Sequence, residues 1–476
     1  MSTTSALNSL LSSSNAASAI DLSTILEAAT GSSSEGIDVT AAVNAGVAAA
    51  EAPENTWESQ QTTLQNQATA LTQLQTDATN LDNDMQALNN LTGPLSATSV
   101  TSSNSGIVSG SSVSGSAIGN SIVVVNSLAT TASFTSTAVT NATTDLPTGE
   151  TITITPPTGS AATFTTGSNG INTLTDLESA INSAGLGVTA SIINDASGSR
   201  LAIVSNSSGS AGSFTASATG GAFDFSVGGS GNNASITVNG ITVTSATNTV
   251  TGVIPGVTLN LQSASPGTEV TLGVTPDTAQ ASTAINQFVT DYNTLISAVS
   301  AQFKDVAGSG QGVLSEDPTV QSLQSDLLGS LDFTATSGSG GSSTTTSLAS
   351  LGISVNSDGT LTVDSGTLND ALQNNFSQVQ NFFQGAALNG FANSLDQQLT
   401  SFVSPADGAF TLDLQSLNSE NTTLQDDINN FQANIITPLK AQLQSEYSQA
   451  EIALQQLPNE LKNIDAELGM NNSQNG

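Results

Sequence analysis

Residues 412–468 read LDLQSLNSENTTLQDDINNFQANIITPLKAQLQSEYSQAEIALQQLPNELKNIDAEL. Apolar side chains recur in this stretch mostly at steps of three and four residues, which is the spacing of one face of an α-helix. The series comprises Leu417, Leu424, Ile428, Phe431, Ile435, Leu439, Leu443, Tyr447, Ala450, Leu454, Leu457, Leu461, Ile464 and Leu468. A narrow apolar stripe over so many turns indicates a coiled-coil seam, which needs a partner helix to bury it.

A second stripe near the other end of the chain provides that partner. It lies in a helix predicted over residues 57–91 and comprises Trp57, Leu64, Leu71, Leu74, Ala78, Leu81, Met85 and Leu88. We call the two stripes together the helix-packing seam. The sequence predicts that the two chain ends pair as helices through this seam, and that the residues between them form a head carried on the helical stalk.

Two prolines are expected to interrupt the C-terminal stripe. Around Pro438 the apolar steps become a run of fours, and extra residues of this kind locally unwind a left-handed supercoil. Thr437 followed by Pro438 also reads as an N-cap before a proline at the first helical position. The sequence therefore predicts two helices that meet at a kink near Thr437. Pro458 predicts a second break, because proline in a helix interior costs about 3 kcal/mol.

The charge and the missing residue types exclude several classes of protein. The chain has 476 residues, of which 38 are acidic and 4 basic, so its formal net charge is −34. Such a charge repels phosphate backbones and anionic lipid, which argues against nucleic acid and membrane-surface partners. Cys and His are absent. Disulfides, thiolate nucleophiles, Ser-His triads and zinc bound by Cys or His are therefore excluded, and we expect no cofactor and no metal.

The composition also bears on location. Ser, Thr, Asn and Gln supply most of the polarity and aromatic residues make up only 4%, which is typical of an extracellular or surface protein. No stretch approaches the roughly 18 uninterrupted apolar residues of a membrane-spanning helix. Residues 1–30 lack the positively charged and apolar regions of a Sec signal peptide. We therefore expect export from the cell by another route.

The pattern changes completely between the helical ends. Over residues 96–274 Gly, Ser and Thr dominate and apolar residues alternate with polar ones, which predicts β-strands. Asn239-Gly240 between two such runs predicts a hairpin, and residues 174–184 predict one helix. The fold class is therefore multidomain α+β, with a helical coiled-coil base formed by both chain ends and two inserted β-rich domains.

The expected domain boundaries follow these changes of pattern. A mobile N-terminal segment is expected over 1–56, and a C-terminal coiled-coil tail over 412–476. The helical base is expected to combine 57–95 with 275–411, including a hairpin at 351–364. A first β domain is expected to combine 96–130 with 236–274, and a second, inserted β domain to cover 131–235. Residues 1–35 are expected to be disordered in the isolated chain, and the Ser/Gly/Thr run 334–347 to be a flexible loop.

Two segments imitate functional motifs without completing them. The glycine-rich run 308–312 lacks the Gly-Lys-Ser/Thr that grips phosphate. The run 356–359 resembles the middle of a calcium loop, but Ser354 and Ser365 stand where its first Asp and its bidentate Glu belong. Carboxylate pairs suffice for glycoside hydrolysis, although a sugar cleft usually also has aromatic platforms, and this chain has one Trp and two Tyr. We expect that the protein is not an enzyme.

Six blocks of sequence, taken in order, carry a resemblance to a known family. They are Gly36-Ile37-Asp38-Val39 through Pro53; Gly119 to Val125 with Leu128-Ala129; Leu174-Thr175-Asp176-Leu177 through Arg200-Leu201; Asn248-Thr249-Val250 through Leu259; Phe288-Val289 with Tyr292-Asn293; and Leu351-Gly352-Ile353 with Asp358 to Leu361. In these blocks the chain resembles the bacterial flagellar filament cap, or flagellar hook-associated protein 2, family. The third block is similar to a small repeat that flagellins and hook-associated proteins share.

The resemblance implies an extracellular cap at the tip of the growing flagellar filament. It implies a homo-oligomeric ring whose terminal helices are legs and whose β domains form a plate, under which exported flagellin folds and is inserted. Motility then depends on the cap. The implied partners are flagellin, the hook–filament junction proteins, and the flagellar type III export apparatus with its chaperone.

One alternative and two departures accompany the resemblance. The alternative is a secreted surface adhesin that uses the same β domains to bind glycans or host cells, and some family members also adhere. An adhesin, however, has no need of complementary helices at both chain ends. The family usually has bulkier residues where this chain has Ala42 and Gly46, and its terminal helix usually lacks prolines such as Pro438 and Pro458.

Overall fold

A computed structural model describes residues 38–221, 223–305, 310–337 and 344–472. Within those ranges helices occupy both ends of the chain and strands lie between them, which confirms the predicted multidomain α+β fold class. None of the described helices combines the length and the apolarity that a membrane crossing requires. The expected disorder of residues 1–35 concerns a segment outside the described residues.

The chain divides into two compact units. Unit 1 contains the described parts of Met1–Asp82, Asp291–Ser330 and Asp396–Gly476, and unit 2 contains those of Asn83–Thr290 and Leu331–Leu395. Unit 1 contains the described parts of both chain ends, as their predicted pairing requires, and unit 2 joins two internal parts of the chain. The finer domain boundaries given above stay a prediction.

The helices follow the periodic segments of the sequence. They are α1 Val39–Ala50, α2 Ala52–Asn89, α3 Leu174–Ser183, α4 Thr278–Phe303, α5 Pro318–Ser330, α6 Ser365–Asn374, α7 Phe376–Phe383, α8 Phe391–Val403, α9 Ala409–Phe431 and α10 Thr437–Asn472. A π-helical turn, Gln432–Ile436, connects α9 to α10. The helix predicted over residues 57–91 is α2, which begins five residues earlier.

Side-chain caps fix the first turns of several helices. Asp38 accepts a hydrogen bond from the Ala41 N–H at 3.0 Å and starts α1. At α3, Thr173 and Asp176 cap each other's backbone N–H groups in a capping box. Asp317 accepts hydrogen bonds from the N–H groups of Thr319 and Val320 and starts α5. Each cap satisfies N–H groups that have no partner within the helix.

Two sheets in unit 2 enclose the first strand-rich core. Their strands are β1 Thr98–Ser102, β2 Val108–Ser112, β3 Gly119–Ser127, β11 Ala234–Val238, β12 Ile241–Ser245, β13 Thr249–Ile254, β14 Val257–Leu261 and β15 Val270–Pro276. One sheet has the order β1-β15-β3-β11-β12 and the other β13-β14-β2, with every pair antiparallel. Val108, Val123 and Leu259 are fully buried between them. Asn239 and Gly240 both have positive φ, which confirms the hairpin turn predicted between β11 and β12.

A second strand-rich core lies between β3 and β11 in the sequence. Its strands are β4 Thr131–Ser136, β5 Thr151–Thr155, β6 Ala162–Thr165, β7 Val188–Asp195, β8 Gly198–Ser208, β9 Thr215–Thr219 and β10 Phe225–Gly229. They form the sheets β10-β4-β8-β7 and β6-β5-β9. Helix α3 buries Leu174, Leu177 and Ile181 in the core that they share, as its apolar spacing predicts.

The remaining strands of unit 2 form two hairpins. These are β16 Thr334–Ser337 with β17 Thr344–Ser347, and β18 Ile353–Val355 with β19 Leu361–Val363. The second pair confirms the predicted hairpin at 351–364. The first corrects the prediction of a flexible loop over 334–347, because both described ends of that run pair as strands. Their threonines are β-branched and favour extended backbone, a preference that the loop-like composition concealed.

Candidate functional site

Helices α2 and α9 of unit 1 pack against each other in antiparallel orientation. The Trp57 and Phe431 rings meet edge to face with centroids 5.4 Å apart. Further along, Gln61 Nε2 donates to Gln425 Oε1 at 3.0 Å, and Gln75 Nε2 donates to Thr411 Oγ1 at 3.2 Å. Since the partner numbers fall as the α2 numbers rise, the two helices run in opposite directions. The structure thus brings together the two predicted stripes over this part of the chain.

The seam residues differ in how far the single chain covers them. Those buried in unit 1 are Leu71, Leu74, Leu81 and Ile428, and those buried in unit 2 are Met85 and Leu88. Those half-buried are Trp57, Leu64, Leu417, Leu424 and Phe431. Those exposed are Ile435, Leu454, Leu457 and Ile464. The structure does not describe the side chains of Leu461 and Leu468. The role of the seam in assembly stays a prediction.

The π-helical turn corrects the predicted register of the seam. Ile436, not Ile435, is buried: their side chains are 3% and 45% exposed. A π-turn inserts one extra residue into the helical repeat and so rotates every later side chain. Thr437 is helical, and its N–H donates to Gln432 O five residues back, so it is not the N-cap that the sequence predicted. The predicted division into two helices is nevertheless present, since α9 ends at Phe431 and α10 begins at Thr437.

Pro458 does not interrupt α10, which corrects the prediction of a second break. Pro458 is exposed to solvent, as are the residues on both sides of it. Proline removes only one backbone hydrogen bond, and solvent can satisfy a carbonyl left without its N–H partner on an exposed helix. The helix therefore continues to Asn472.

Helix α1 is a packing partner that the periodicity did not identify. Val43, Val47 and Ile436 form a buried cluster, with Leu443 and Tyr447 of α10 half-buried against it. Gly46 of α1 is also buried, and a Cβ placed there would lie 2.8 Å from Leu443 Cδ1. The small residues that depart from the family pattern thus allow α1 and α10 to approach closely. Its three valines, Val39, Val43 and Val47, recur every four residues, but the segment is short and rich in alanine, and sequence reasoning did not identify it as a packing helix.

An acidic pair borders the helical base of unit 1. Asp317 caps α5, and burial raises the pKa of its carboxyl above the ordinary value, with the charge of Asp413 on α9 raising it further. The hydrogen bonds that Asp317 accepts from the N–H groups of Val320 and Thr319 lower its pKa, but they do not offset these two effects. A cavity of about 270 Å³ beside Asp317 is lined by Gln67 and Leu417, among others. Among the described residues, no group of three metal-ligating side chains gathers here or elsewhere.

This pair gives a pH-dependent prediction. Because the pKa of Asp317 is raised in the folded state, its ionisation destabilises the fold, and this cost grows as pH rises through that raised pKa. We expect Asp413→Asn to increase the free energy of unfolding at pH 7 by less than about 1 kcal/mol, since solvent screens the pair. Near pH 3, which lies below the raised pKa of Asp317, the Asp317 carboxyl is protonated and the gain should vanish. Urea unfolding followed by fluorescence of Trp57, the single Trp of the chain, measures both values.

Asp426→Asn is the matched control, because Asp426 lies on the same helix and is exposed. It removes the same charge without relieving Asp317. An equal gain in both variants, or a gain at pH 7 that persists at pH 3, would show that the two carboxyls do not interact.

Comparison with known proteins gives a consistent result. Residues 35–132 match the family model described as flagellar hook-associated protein 2 N-terminus, and residues 231–459 match its C-terminus counterpart. The chain is 27% identical over 364 residues to B-type flagellar hook-associated protein 2 of Pseudomonas aeruginosa, covering 69% of this chain and 73% of that protein. It is 29% identical over 196 residues to lateral flagellar hook-associated protein 2 of Vibrio parahaemolyticus, covering 39% of this chain and 42% of that protein.

A solved structure extends the likeness to three dimensions. The D1-D2-D3 domains of the flagellar cap protein FliD from Escherichia coli superpose with a TM-score of 0.57 at 28% identity, covering 73% of this chain and 99% of that one. The chain spans less than half of the Vibrio relative and about three quarters of the Pseudomonas relative. None of these three names describes an adhesin, so the adhesin alternative gains no support.

Proposed function

We propose a function from one premise: the chain belongs to the flagellar hook-associated protein 2 family. The protein is a structural cap at the distal tip of the bacterial flagellar filament, outside the cell. It promotes the folding and insertion of exported flagellin and prevents its loss, so that filament assembly and motility depend on it. Its role is mechanical and catalyses no covalent chemistry.

The observation that carries this proposal is a seam that the described part of the chain only partly covers. Where α9 lies against α2, apolar side chains are buried or half-buried. Along the outer part of α10, Ile452, Leu454, Leu457 and Ile464 are between 43% and 55% exposed. Exposed apolar stripes of this length mark interaction surfaces. A cap whose legs insert among filament subunits needs such a surface.

The proposed partners follow from that position. They are further copies of the chain in a ring, flagellin beneath it, the hook–filament junction proteins, and the flagellar type III export apparatus with its chaperone. Passage through a narrow export channel requires an unfolded chain, and the absence of cysteine means that no disulfide opposes unfolding. The small cores of unit 2, built largely of Val, Ile and Ala, make the same step easier.

A deletion strain tests the proposal. We expect a strain without this gene to lose swimming in soft agar and to release flagellin monomers into the medium, because nothing retains arriving subunits at the tip. Immunoblots of the medium and electron microscopy of the cells measure both effects. Restoring the wild-type gene should restore filaments. Filaments of normal length on the deletion strain would refute the proposed function.

A further inference from the structure

The two sheets of the first strand-rich core close against each other along one side. On that side β1 ends the first sheet and β2 ends the second. Ser102 Oγ donates to Val108 O at 2.7 Å, and Ser112 Oγ donates to Thr98 O at 2.7 Å. Side-chain hydroxyls of each strand thus bond to the backbone of the other. Covering an edge in this way is one means by which proteins keep it from pairing with another chain.

The other side of the same core is open. There β12 ends the first sheet and β13 ends the second, and no hydrogen bond joins these two strands within the part of the chain that the structure describes. Between them lies a groove of about 410 Å³ with the apolar lining Val238, Ile241, Val243 and Val253. We call it the edge groove. Ile241 is 69% exposed although Val238, opposite it in β11, is buried.

The backbone of β12 presents hydrogen-bonding groups on this open side. The register places Val238 opposite Ile241 at the two-residue turn between β11 and β12. In such a hairpin the first pair exchanges both of its backbone hydrogen bonds, and the following pairs alternate between none and both. The N–H and C=O groups of Thr242 and Thr244 therefore point away from β11. Among the described residues no group bonds to them.

Strand β12 lacks the usual protection of an edge. Residues 241–254, which contain β12 and β13, include no charged residue and no proline. Lysine, other charges and proline are the residues with which proteins most often prevent a further strand from pairing. Four of the five residues of β12 are β-branched, which favours the extended backbone that pairing needs. An unprotected edge in a core whose other side is closed indicates a binding surface.

We propose that β12 binds an extended segment of another polypeptide by adding it to the sheet as a further strand. The backbone of the segment exchanges hydrogen bonds with Thr242 and Thr244, and its apolar side chains, at every second position, fill the edge groove. This inference rests on the proposed function, in which flagellin reaches the cap before it has folded. It names the feature that the cap recognises, which is an unfolded backbone with alternating apolar residues.

The chemistry of the edge selects this occupant. A row of N–H and C=O groups pairs with an extended backbone, whereas a helix has already bonded its own backbone groups internally. A second copy of this chain fits less well. Residues 246–248 alone separate β12 from β13, so a second copy that paired through β12 would bring its own β13 to the same groove. A segment that has not folded brings only its own side chains.

Strand addition predicts protection of two particular amides. The probe is an uncharged, fluorescently labelled peptide of alternating Thr and Val, and fluorescence anisotropy measures its binding to the full-length protein. At saturation, hydrogen exchange at the amides of Thr242 and Thr244 should slow at least about tenfold, because both N–H groups gain an acceptor. The amides of Ile241 and Val243 already bond to β11 and should change little. The same peptide methylated at its backbone nitrogens should not bind, because it cannot donate hydrogen bonds.

Proline variants separate the backbone of the edge from its side chains. Thr242→Pro with Thr244→Pro removes the two outward N–H groups, which make no bond to β11, so the hairpin should be retained. Thr242→Ala with Thr244→Ala is the matched control, because it removes the same side chains and keeps both N–H groups. The proline variant should bind the probe at least about tenfold more weakly, and the alanine variant should bind it like the wild type.

Ile241→Asp tests the edge groove and serves if the proline variant does not fold, which circular dichroism checks. Its position is exposed, so the fold should be retained, and both outward N–H groups remain. It should also bind the probe more weakly, because the added strand would bury its carboxylate. Binding as tight as that of the wild type would show that the groove is not part of the site.

Three further results would overturn the inference. The wild type could fail to bind the probe, it could bind without slower exchange at Thr242 and Thr244, or the proline and alanine variants could weaken binding equally. Wild-type oligomers that light scattering shows to dissociate in the proline variant would assign the edge to a second copy instead. Each of these results leaves the proposed function intact, because the deletion strain tests flagellin retention independently of the probe.

Discussion

A chain carrying Leu424→Asp and Phe431→Asp should fail to restore swimming to the deletion strain, although its strand-rich cores remain folded. The Phe431 and Trp57 rings meet edge to face, with their centroids 5.4 Å apart. Leu424 lies half-buried two turns earlier on the same face of α9. A carboxylate in such a seam loses water without gaining a partner, at a cost of several kcal/mol, or must take up a proton. The pairing of α2 with α9 should therefore open.

Two measurements separate this result from general unfolding. Trp57 fluorescence should shift to longer wavelength, because its ring becomes exposed to water, while hydrogen exchange of β3 and β11 should stay slow. Leu412→Asp is the control: it adds one carboxylate to the same helix at a side chain that is 52% exposed. The control should swim. Normal swimming of the double variant would refute the assigned face of α9.

The regular parts of the fold could be predicted because their information is local. Steps of three and four residues identified α2 and α9, and a two-residue turn at Asn239-Gly240 identified the hairpin of β11 and β12. Such signals need only neighbouring residues. The pairing of β1 with β15, by contrast, joins residues about 170 positions apart, as in the partners Val100 and Val274. No local pattern encodes that choice.

The errors in the predicted helix packing have physical causes that periodicity does not register. A stripe of apolar residues fixes a helical face only while the number of residues per turn stays constant, and the π-turn at Gln432–Ile436 changes it. The buried position therefore moved from Ile435 to Ile436. Helix α1 was missed for the converse reason: its contact with α10 depends on Gly46, which lacks a side chain, and periodicity analysis registers only side chains that are present.

The aromatic cluster of unit 2 was also beyond sequence reasoning. Its rings come from α4, α7, α8 and the residue before β16, and they are Phe288, Phe333, Phe382, Phe383 and Phe391. Each helix contributes one or two, so no single segment reveals the cluster. Phe391 is fully buried at its centre. Its ring stacks on Phe382 with centroids 5.4 Å apart, and meets Phe288 edge to face at 5.6 Å.

Phe391→Ala should therefore be the most destabilising single substitution in this part of unit 2, lowering its free energy of unfolding by about 3–5 kcal/mol. The loss combines buried area, the cavity left behind and the edge-to-face contacts, each worth about 0.5–1.5 kcal/mol beyond the area. Hydrogen exchange of amides in α7, which lies entirely in unit 2, measures the change locally, whereas Trp57 lies in unit 1. Phe391→Leu keeps most of the volume, so it should leave a smaller cavity and cost less than Phe391→Ala. If Ala and Leu destabilise equally, the loss comes from the ring contacts, which both substitutions remove, and not from the cavity. If neither does, the cluster is not part of the cooperative core, and the order of α7 and α8 must depend on other contacts.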